Sequence, residues 1–219
     1  MQAIDQIKAR IESAALKSGR KPEDITLVAV SKLHSIEEIN PVVRAGLTQL
    51  AENKVQELLT KYGKIDGDVT WHLIGHLQTN KVKSIVDKVD LIQSVDSLRI
   101  ANEINKRCAE IGKIMDILIQ VNAAGEEQKS GISVDELFPL YEEITKLTNI
   151  RVRGLMQIAP AAEDPNDVRK YFRIVKECYD KIPGLDILSM GMSHDFEVAI
   201  EEGANMVRIG TAIFGERNY

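Results

Sequence analysis

The amino-acid sequence predicts an α/β fold, namely a closed (β/α)₈ barrel of the TIM type preceded by one extra N-terminal helix. The first observation is a regular alternation of eight short β-branched runs with longer helical patterns. The second is that most of these runs are apolar at consecutive positions, which is typical of parallel strands covered on both faces. A doubly wound open sheet is the alternative, but no glycine-rich dinucleotide turn follows the first strand.

The predicted elements follow one another in a simple order. Apolar residues recur at helical spacing over residues 2–18, which predicts the extra amphipathic helix. The eight predicted strands are the runs 25–30, 47–51, 69–75, 89–95, 115–122, 150–158, 185–190 and 205–210. Helical patterns lie between them. A chain of 219 residues with 44% hydrophobic composition is enough for one core, so we expect a single domain over residues 1–219.

The composition argues against two classes of partner. Charged residues make up 28% of the chain, with mixed signs and a net charge of −5. Such a chain builds no positive field, so neither nucleic acid nor an anionic membrane is an expected partner. The sequence shows no membrane-spanning run and no signal-peptide pattern. Cys108 and Cys178 form no Cys-x-x-Cys pair, so we expect a reduced cytoplasmic protein. We also expect a monomer.

Polar residues concentrate where the predicted strands end, which is where such barrels carry their chemistry. In chain order these residues are Lys32, Asn53, His76, Ser94, Asp96, Asn122, Gln157, Ser193, Arg208 and Thr211, with Gly210 between the last two. Lys32 follows a buried run within two residues, with no proline or glycine between. One interpretation is a surface lysine that has left the core. The other is a desolvated amine with a lowered pKa, able to form a Schiff base with an aldehyde.

Two neighbouring loops, after the seventh and eighth strands, have features of an anion site. Ser193 is a good N-cap for a helix beginning near His194, and the N–H groups at a helix start bind anions. Gly210 allows close backbone approach, and Thr211 offers a hydroxyl and an N–H just past the last strand. Phosphate sites in these barrels often use these two loops. An ordinary capped helix and an ordinary turn would give the same pattern.

Two further features have competing interpretations. Arg208 lies inside an apolar strand and needs a partner, which can be a carboxylate of the barrel or a ligand. His72 and His76 are four residues apart, but Gly75 and the preceding strand pattern argue against a helical pair of metal ligands. No metal site is therefore predicted.

Eight stretches together resemble the pyridoxal phosphate homeostasis proteins, small relatives of the amino-terminal barrel of alanine racemase. They are LVAVSK (27–32), ENKVQE (52–57), WHLIGHLQTNK (71–81), SVDS (94–97), QVNAAGEEQKSGI (120–132), RGLM (153–156), LSMGMSHDFEVAI (188–200) and VRIGTAIFG (207–215). They span nearly the whole chain and are highly specific as a set. The sequence departs from the family pattern at Ala51, where glycine usually precedes Glu-Asn, and His194 occupies a variable position before Asp195.

The resemblance implies a fold-type III barrel that binds pyridoxal 5′-phosphate. It implies that Lys32 holds this cofactor as an internal aldimine. It also implies that Asn53 lies near the ring, with His76 close by. The amine would then stand at the barrel mouth because the aldehyde must reach it there.

The same resemblance implies how the rest of the cofactor is held. Ser193, Gly210 and Thr211, together with the Met192 backbone, would bind the phosphate. Arg208 would face the pyridine nitrogen. A cation at this position disfavours protonation of the nitrogen, so the ring would be a weaker electron sink than it is beside a carboxylate.

The resemblance also sets an expectation about catalysis. A racemase needs an acid/base group on each face of its substrate, and alanine racemase takes the second from a carboxyl-terminal domain. The chain ends at Tyr219, just after the eighth predicted strand, so we expect that domain and its tyrosine to be absent. Little or no turnover of amino acids is therefore expected.

Three functions compete at this point. The first is a non-enzymatic binder in vitamin B6 homeostasis, whose partners are pyridoxal 5′-phosphate and, as further candidates, amino acids and apoenzymes that use this cofactor. The second is a weak enzyme that uses it, such as an amino-acid racemase. The third is a cofactor-free barrel enzyme for a phosphorylated metabolite, with Lys32 acting as in a Schiff-base aldolase. We favour the first.

Overall fold

A computed structural model of the chain describes residues 2–126 and 128–215. These residues form a closed barrel of eight parallel strands, in which neighbours in the chain are neighbours in the sheet and β8 pairs with β1. The strands are β1 Thr26–Val30, β2 Gln49–Glu52, β3 Thr70–Leu73, β4 Leu91–Val95, β5 Met115–Val121, β6 Ile150–Gln157, β7 Ile187–Ser189 and β8 Met206–Ile209. The predicted (β/α)₈ barrel is confirmed, and each predicted strand ends within two residues of an observed one.

Helices form the outer layer of the barrel. The α-helices are α1 Gln2–Lys17, α2 Ile36–Arg44, α3 Val55–Lys61, α4 Leu98–Glu110, α5 Val134–Ile144, α6 Arg169–Asp180, α7 Phe196–Glu201 and α8 Thr211–Phe214, and 3₁₀ helices cover Pro22–Asp24, Thr79–Ser84 and Pro165–Val168. Helix starts follow from local sequence, as at α2, where the Ser35 hydroxyl accepts a hydrogen bond from the Glu38 N–H and the Glu38 carboxylate accepts one from the Ser35 N–H. Among the described residues, no helix has both the length and the apolar character that crossing a bilayer requires.

The strands bury apolar residues on both faces, as their continuous apolar runs predict. Val28, Val30, Leu118 and Met156 belong to a cluster that fills the inside of the barrel. Residues of opposite parity, such as Leu50, belong to the larger cluster beneath the helices. Because successive side chains of a strand point to opposite faces, both faces need apolar residues when both are covered.

The extra helix α1 covers the place where the barrel closes. Its Ile7 and Ile11 pack with Val207 and Ile209 of β8 and with Phe196 of α7. The helix that follows β8 is only four residues long, so α1 supplies the cover that β8 would otherwise lack. Burying each isoleucine contributes roughly 1.5–3 kcal/mol. The predicted N-terminal helix is confirmed and has a structural role.

A bulge bends the barrel wall between β5 and β6. The register shifts between Ile117 and Leu118, so Arg153 is an extra residue on β6. Gly154 follows it, and a β-carbon at Gly154 would lie 1.6 Å from the Ile187 carbonyl oxygen of β7. Only glycine fits this close approach of two backbones.

Candidate functional site

A cavity of about 530 Å³ opens at the carboxyl ends of the strands. All eight residues that the sequence singled out for ligand binding line it, namely Lys32, Asn53, His76, Met192, Ser193, Arg208, Gly210 and Thr211. They follow or end β1, β2, β3, β7 and β8. Closure of the barrel therefore brings loops from distant parts of the chain to one rim.

Lys32 lies two residues beyond β1, in a tight turn. The Ser31 carbonyl oxygen accepts a hydrogen bond from the His34 N–H at 3.1 Å, which closes the turn. Leu33 has a φ of 68°, a left-handed conformation that costs a residue with a β-carbon roughly 1–2 kcal/mol. Such a conformation persists only where the surroundings hold it. The half-buried Lys32 is therefore presented to the cavity by a backbone of defined shape.

The prediction that Ser193 caps a helix beginning near His194 is wrong. Helix α7 begins at Phe196, because residues 193–195 form a turn. Asp195 is the N-cap, and its carboxylate accepts a hydrogen bond from the Met192 N–H at 2.6 Å. Burial raises the pKa of Asp195, and the Met192 N–H opposes this change.

Ser193 connects the two loops that were expected to bind an anion. Its hydroxyl accepts a long hydrogen bond of 3.4 Å from the Ala212 N–H, in the first turn of α8. Gly210 is the N-cap of α8, and the exposed Thr211 is its first residue. The first N–H groups of a helix have no partner within it and can bind an anion. In α8 one of them, the Ala212 N–H, already donates to Ser193. The loops after β7 and β8 therefore offer hydroxyl and N–H donors side by side.

Arg208 is buried at the base of the cavity, with 2% of its surface exposed. Its Nη1 donates to the Ser189 hydroxyl at 2.6 Å, and its Nη2 donates to the Gln157 carbonyl oxygen at 2.7 Å. Both partners are neutral, and Asp195 acts on Arg208 only as a nearby charge. Burial lowers the pKa of Arg208 to about 10, so the guanidinium remains a cation at neutral pH.

A chain of buried hydrogen bonds runs from Arg208 through the inside of the barrel. The Ser189 hydroxyl accepts from Arg208 and donates to Gln93 Oε1 at 2.7 Å. The Gln93 amide donates to His72 Nδ1 at 2.8 Å, so His72 carries its proton on Nε2 and donates to Gln49 Oε1 at 2.7 Å. Burial lowers the pKa of His72 to about 4. This ring is therefore neutral at neutral pH and supports the Arg208 cation without adding a second charge.

His72 and His76 lie in different surroundings. His72 is inside the barrel, whereas 57% of the His76 side chain is exposed at the rim. His76 Nδ1 lies 3.4 Å from Asp96 Oδ2, so the two side chains hold each other at the edge of the cavity. Within residues 2–126 and 128–215, no three histidine, cysteine or acidic side chains are grouped so as to hold a metal ion.

Other polar residues at the strand ends shape the rim without lining the cavity. The Ser94 hydroxyl donates to the Gly75 carbonyl oxygen at 2.7 Å. The Asn122 amide donates to the Glu126 carbonyl oxygen at 2.8 Å and so holds the loop after β5. The Gln157 side-chain amide is buried and has no hydrogen-bond partner among the described residues, while its backbone carbonyl holds Arg208.

Four further polar residues line the cavity that were not singled out from the sequence, namely Gln120 on β5 and Gln128, Lys129 and Ser130 in the loop after it. Gln120 donates to the Ser130 carbonyl oxygen at 2.9 Å. Lys129 donates to the Ala159 carbonyl oxygen at 3.0 Å and pairs with Glu126 at 2.5 Å. A polar residue at an inward position of an apolar strand is the signal that could have identified Gln120.

The cavity thus combines three kinds of chemistry. Lys32 supplies an amine nucleophile. Arg208 supplies a buried cation that donates hydrogen bonds in a fixed geometry. The Ser193 and Thr211 loops supply donors for an anion.

Comparison with known proteins identifies the family. The family model described as "Alanine racemase, N-terminal domain" matches residues 3–218. A pyridoxal phosphate homeostasis protein of Aquifex aeolicus is 46% identical over 224 residues, which cover 100% of this chain and 98% of that protein. This chain belongs to the pyridoxal phosphate homeostasis protein family. A second member, from Escherichia coli, is 40% identical over 228 residues, covering 99% of this chain and 96% of that protein.

Solved structures agree with membership of the pyridoxal phosphate homeostasis family. PipY of Synechococcus elongatus, with PLP bound, has a TM-score of 0.81 at 34% identity and covers 95% of this chain and 100% of that chain. An alanine racemase of Clostridium difficile in complex with cycloserine has a TM-score of 0.73 at 17% identity, over 90% of this chain and 56% of that chain. At that identity the likeness shows the fold alone. The family resemblance inferred from the eight stretches is confirmed.

Proposed function

We propose that this chain binds pyridoxal 5′-phosphate in the rim cavity and serves in vitamin B6 homeostasis without catalytic turnover. The observation that carries the proposal is that Lys32, Arg208 and the donors around Ser193 and Thr211 line one cavity. The names of the relatives and the PipY structure with PLP bound support it. The two unpaired cysteines support a reducing compartment, the cytoplasm.

The residues of the cavity fit the chemical groups of this cofactor one by one. The phosphate takes hydroxyl and N–H donors, which the Ser193 and Thr211 loops supply. The pyridine nitrogen takes a donor, and Arg208 lies buried at the base of the cavity. When bound, the cofactor supplies an aldehyde. Lys32 would hold this aldehyde, because its amine could add to the carbonyl carbon with the oxygen leaving as water.

The Arg208 arrangement favours storage over catalysis. The guanidinium donates to neutral partners and keeps its proton at neutral pH, so it does not protonate the pyridine nitrogen. An unprotonated ring draws electrons weakly from a substrate carbon. We therefore propose that the chain holds the cofactor and passes it to apoenzymes, and that amino acids reaching the cavity are not turned over.

Removing hydroxyl groups from the two phosphate loops, which are the loops after β7 and β8 that carry Ser193 and Thr211, should lower the affinity for the cofactor in steps. One hydrogen bond to a charged group contributes roughly 1.5–3 kcal/mol, so Ser193→Ala should raise the dissociation constant about tenfold, since about 1.4 kcal/mol is one factor of ten. Ser193→Ala with Thr211→Val should raise it about a hundredfold. The measurement is an equilibrium titration of the apoprotein with pyridoxal 5′-phosphate, followed by absorbance.

Thr145→Val is the matched control, because the Thr145 hydroxyl donates only to the Glu142 carbonyl oxygen of its own helix. Its affinity should equal that of the parent. Equal affinities for the double variant and the parent would refute the phosphate assignment.

Solvent exchange at the α-carbon of amino acids tests the absence of turnover. With alanine or serine in deuterated water, the loaded protein should exchange the α-proton no faster than free pyridoxal 5′-phosphate does. One reason is that the Arg208 cation leaves the ring a weak electron sink. The other is that a racemase also needs an acid/base group on each face of its substrate. Mass spectrometry of the amino acid measures exchange, and chiral chromatography measures racemisation. Rapid exchange with racemisation, if both disappear in the Lys32→Ala variant, would show that the protein is a racemase and not a storage protein.

A further inference from the structure

Four side chains form a buried polar cluster between the ends of β1 and β2 and helix α3. They are Ser31, Glu52, Glu57 and Lys61, called here the Lys61 cluster. Glu52 is fully buried and Lys61 is 5% exposed, whereas 18% of the Glu57 side chain is exposed. No member of the Lys61 cluster lines the rim cavity. Its members contact the backbone of the turn that carries Lys32, which does line the cavity.

All three protons of the Lys61 ammonium have partners. Nζ donates to the Ser31 carbonyl oxygen at 2.8 Å, to Glu52 Oε1 at 2.7 Å and to Glu57 Oε1 at 2.8 Å. Glu52 Oε1 also accepts from the Ser31 hydroxyl at 2.6 Å, and Glu57 Oε1 also accepts from the Leu33 N–H. The cluster therefore hydrogen-bonds to the backbone at two points, the Ser31 carbonyl oxygen and the Leu33 N–H.

These two points flank Lys32. The Ser31 carbonyl belongs to the peptide group before Lys32, and the Leu33 N–H belongs to the peptide group after it. Both peptide groups are bound to charged side chains, and hydrogen bonds to charges are short and directional. They also hold Leu33 in the left-handed conformation that shapes the turn.

A charged cluster is a poor choice for stability alone. Removing two carboxylates and an ammonium from water costs free energy, and apolar side chains of the same size often stabilise a core equally well. The Glu52 Oε2 atom is also buried without a hydrogen-bond partner among the described residues. What the cluster adds over apolar packing is a fixed direction for two peptide groups.

We propose that Lys61, with Glu52 and Glu57, positions Lys32 for attack on the cofactor aldehyde. This inference rests on the proposed function, because the attack forms the Schiff base at Lys32 with loss of water. Lys61 acts through the backbone and touches neither cofactor nor reacting atoms, so it is a positioning residue. A misplacement of about 1 Å can slow a reaction roughly a hundredfold.

The test separates bond formation from binding by using two probes. Pyridoxal 5′-phosphate reports the rate of Schiff-base formation at Lys32, followed by stopped-flow absorbance and mapped by borohydride reduction and mass spectrometry. Pyridoxine 5′-phosphate has the same ring and phosphate with an alcohol in place of the aldehyde, so it reports binding without the bond. The variants are Glu57→Ala, at the partly exposed position, and Lys61→Met combined with Glu52→Gln, which removes both buried charges together.

Both variants should form the Schiff base roughly tenfold to a hundredfold more slowly than the parent. Their affinity for pyridoxine 5′-phosphate should stay within about twofold of the parent, because the phosphate loops and Arg208 are untouched. The control is Arg153→Met, which breaks ion pairs with Asp116 and Asp186 at the amino ends of the strands. It should leave both quantities unchanged.

Three results would overturn the inference. One is a parent-like rate of Schiff-base formation in both variants. Another is a parallel loss of pyridoxine 5′-phosphate binding, which would make the cluster a support of the whole cavity. The third is the absence of a reduced adduct at Lys32 in the parent protein. This result would overturn the proposed function as well. It differs from the other two because it is seen in the parent, without any variant.

Discussion

Replacing Lys32 by alanine should abolish covalent capture of pyridoxal 5′-phosphate. The parent, loaded with cofactor and reduced with borohydride, should carry a single pyridoxyl group on Lys32. The Lys32→Ala variant should carry none, because alanine has no amine to attack the aldehyde. Non-covalent binding should persist at lower affinity, since the phosphate loops and Arg208 remain. Mass spectrometry of proteolytic peptides from the reduced proteins measures the labelled position.

Lys54→Ala is the matched control for this experiment. Lys54 is the exposed residue that precedes α3 on the same rim, and it does not line the cavity. Its removal should leave labelling of Lys32 unchanged. The assignment would be contradicted by a parent labelled mainly on Lys129, which also lines the cavity, or by undiminished labelling of the Lys32→Ala variant.

Replacing Gly154 by alanine should strongly lower the free energy of unfolding. The added β-carbon would lie 1.6 Å from the Ile187 carbonyl oxygen, and both atoms belong to paired strands of the barrel wall. Neither backbone can move without breaking the pairing of β6 with β7. We expect the free energy of unfolding to fall by roughly 3–5 kcal/mol, which is a drop of roughly 10 °C in Tm for a chain of this size. Urea unfolding followed by circular dichroism measures it.

Gly112→Ala provides the comparison. Gly112 has a φ of 66°, and a β-carbon there would meet no atom within 4 Å. Its substitution should therefore cost only the backbone strain, roughly 1 kcal/mol. Equal unfolding free energies for the two variants would contradict this prediction. They would show that the backbones of β6 and β7 can move apart enough to accommodate a β-carbon at residue 154.

The sequence predicts the barrel well because its strands are covered on both faces. A run such as residues 27–30 is apolar at every position, which is typical of a short strand covered on both faces. The exact ends of strands are less predictable. Residues 47–48 and 185–186 belong to predicted strands, but β2 begins at Gln49 and β7 at Ile187. Element ends differ by one or two residues because single hydrogen bonds, such as Thr70 N–H to the Thr48 carbonyl oxygen, extend past the regular ladder.

The site divides in the same way into predictable and unpredictable parts. Lys32 and Arg208 could be found from sequence because each is a charged residue in or just beyond an apolar strand. The start of α7 could not, because Asp195, rather than Ser193, holds the Met192 N–H. The hydrogen-bond chain of His72 and Gln93 also lay beyond pattern analysis. It depends on side chains of different strands meeting inside the closed barrel.

The pairing of β8 with β1, covered by α1, determines when during synthesis the rim cavity can form. Lys32 leaves the ribosome early, whereas Ser193, Arg208 and Thr211 emerge close to the other end of the chain. The cavity exists only after Thr26 has paired with Met206, a contact between distant parts of the sequence that forms slowly. A nascent chain therefore carries the Lys32 amine before the rim cavity exists. Once the barrel has closed, a ligand present at a hundredfold excess over its dissociation constant adds about 2.7 kcal/mol to the stability of the finished fold.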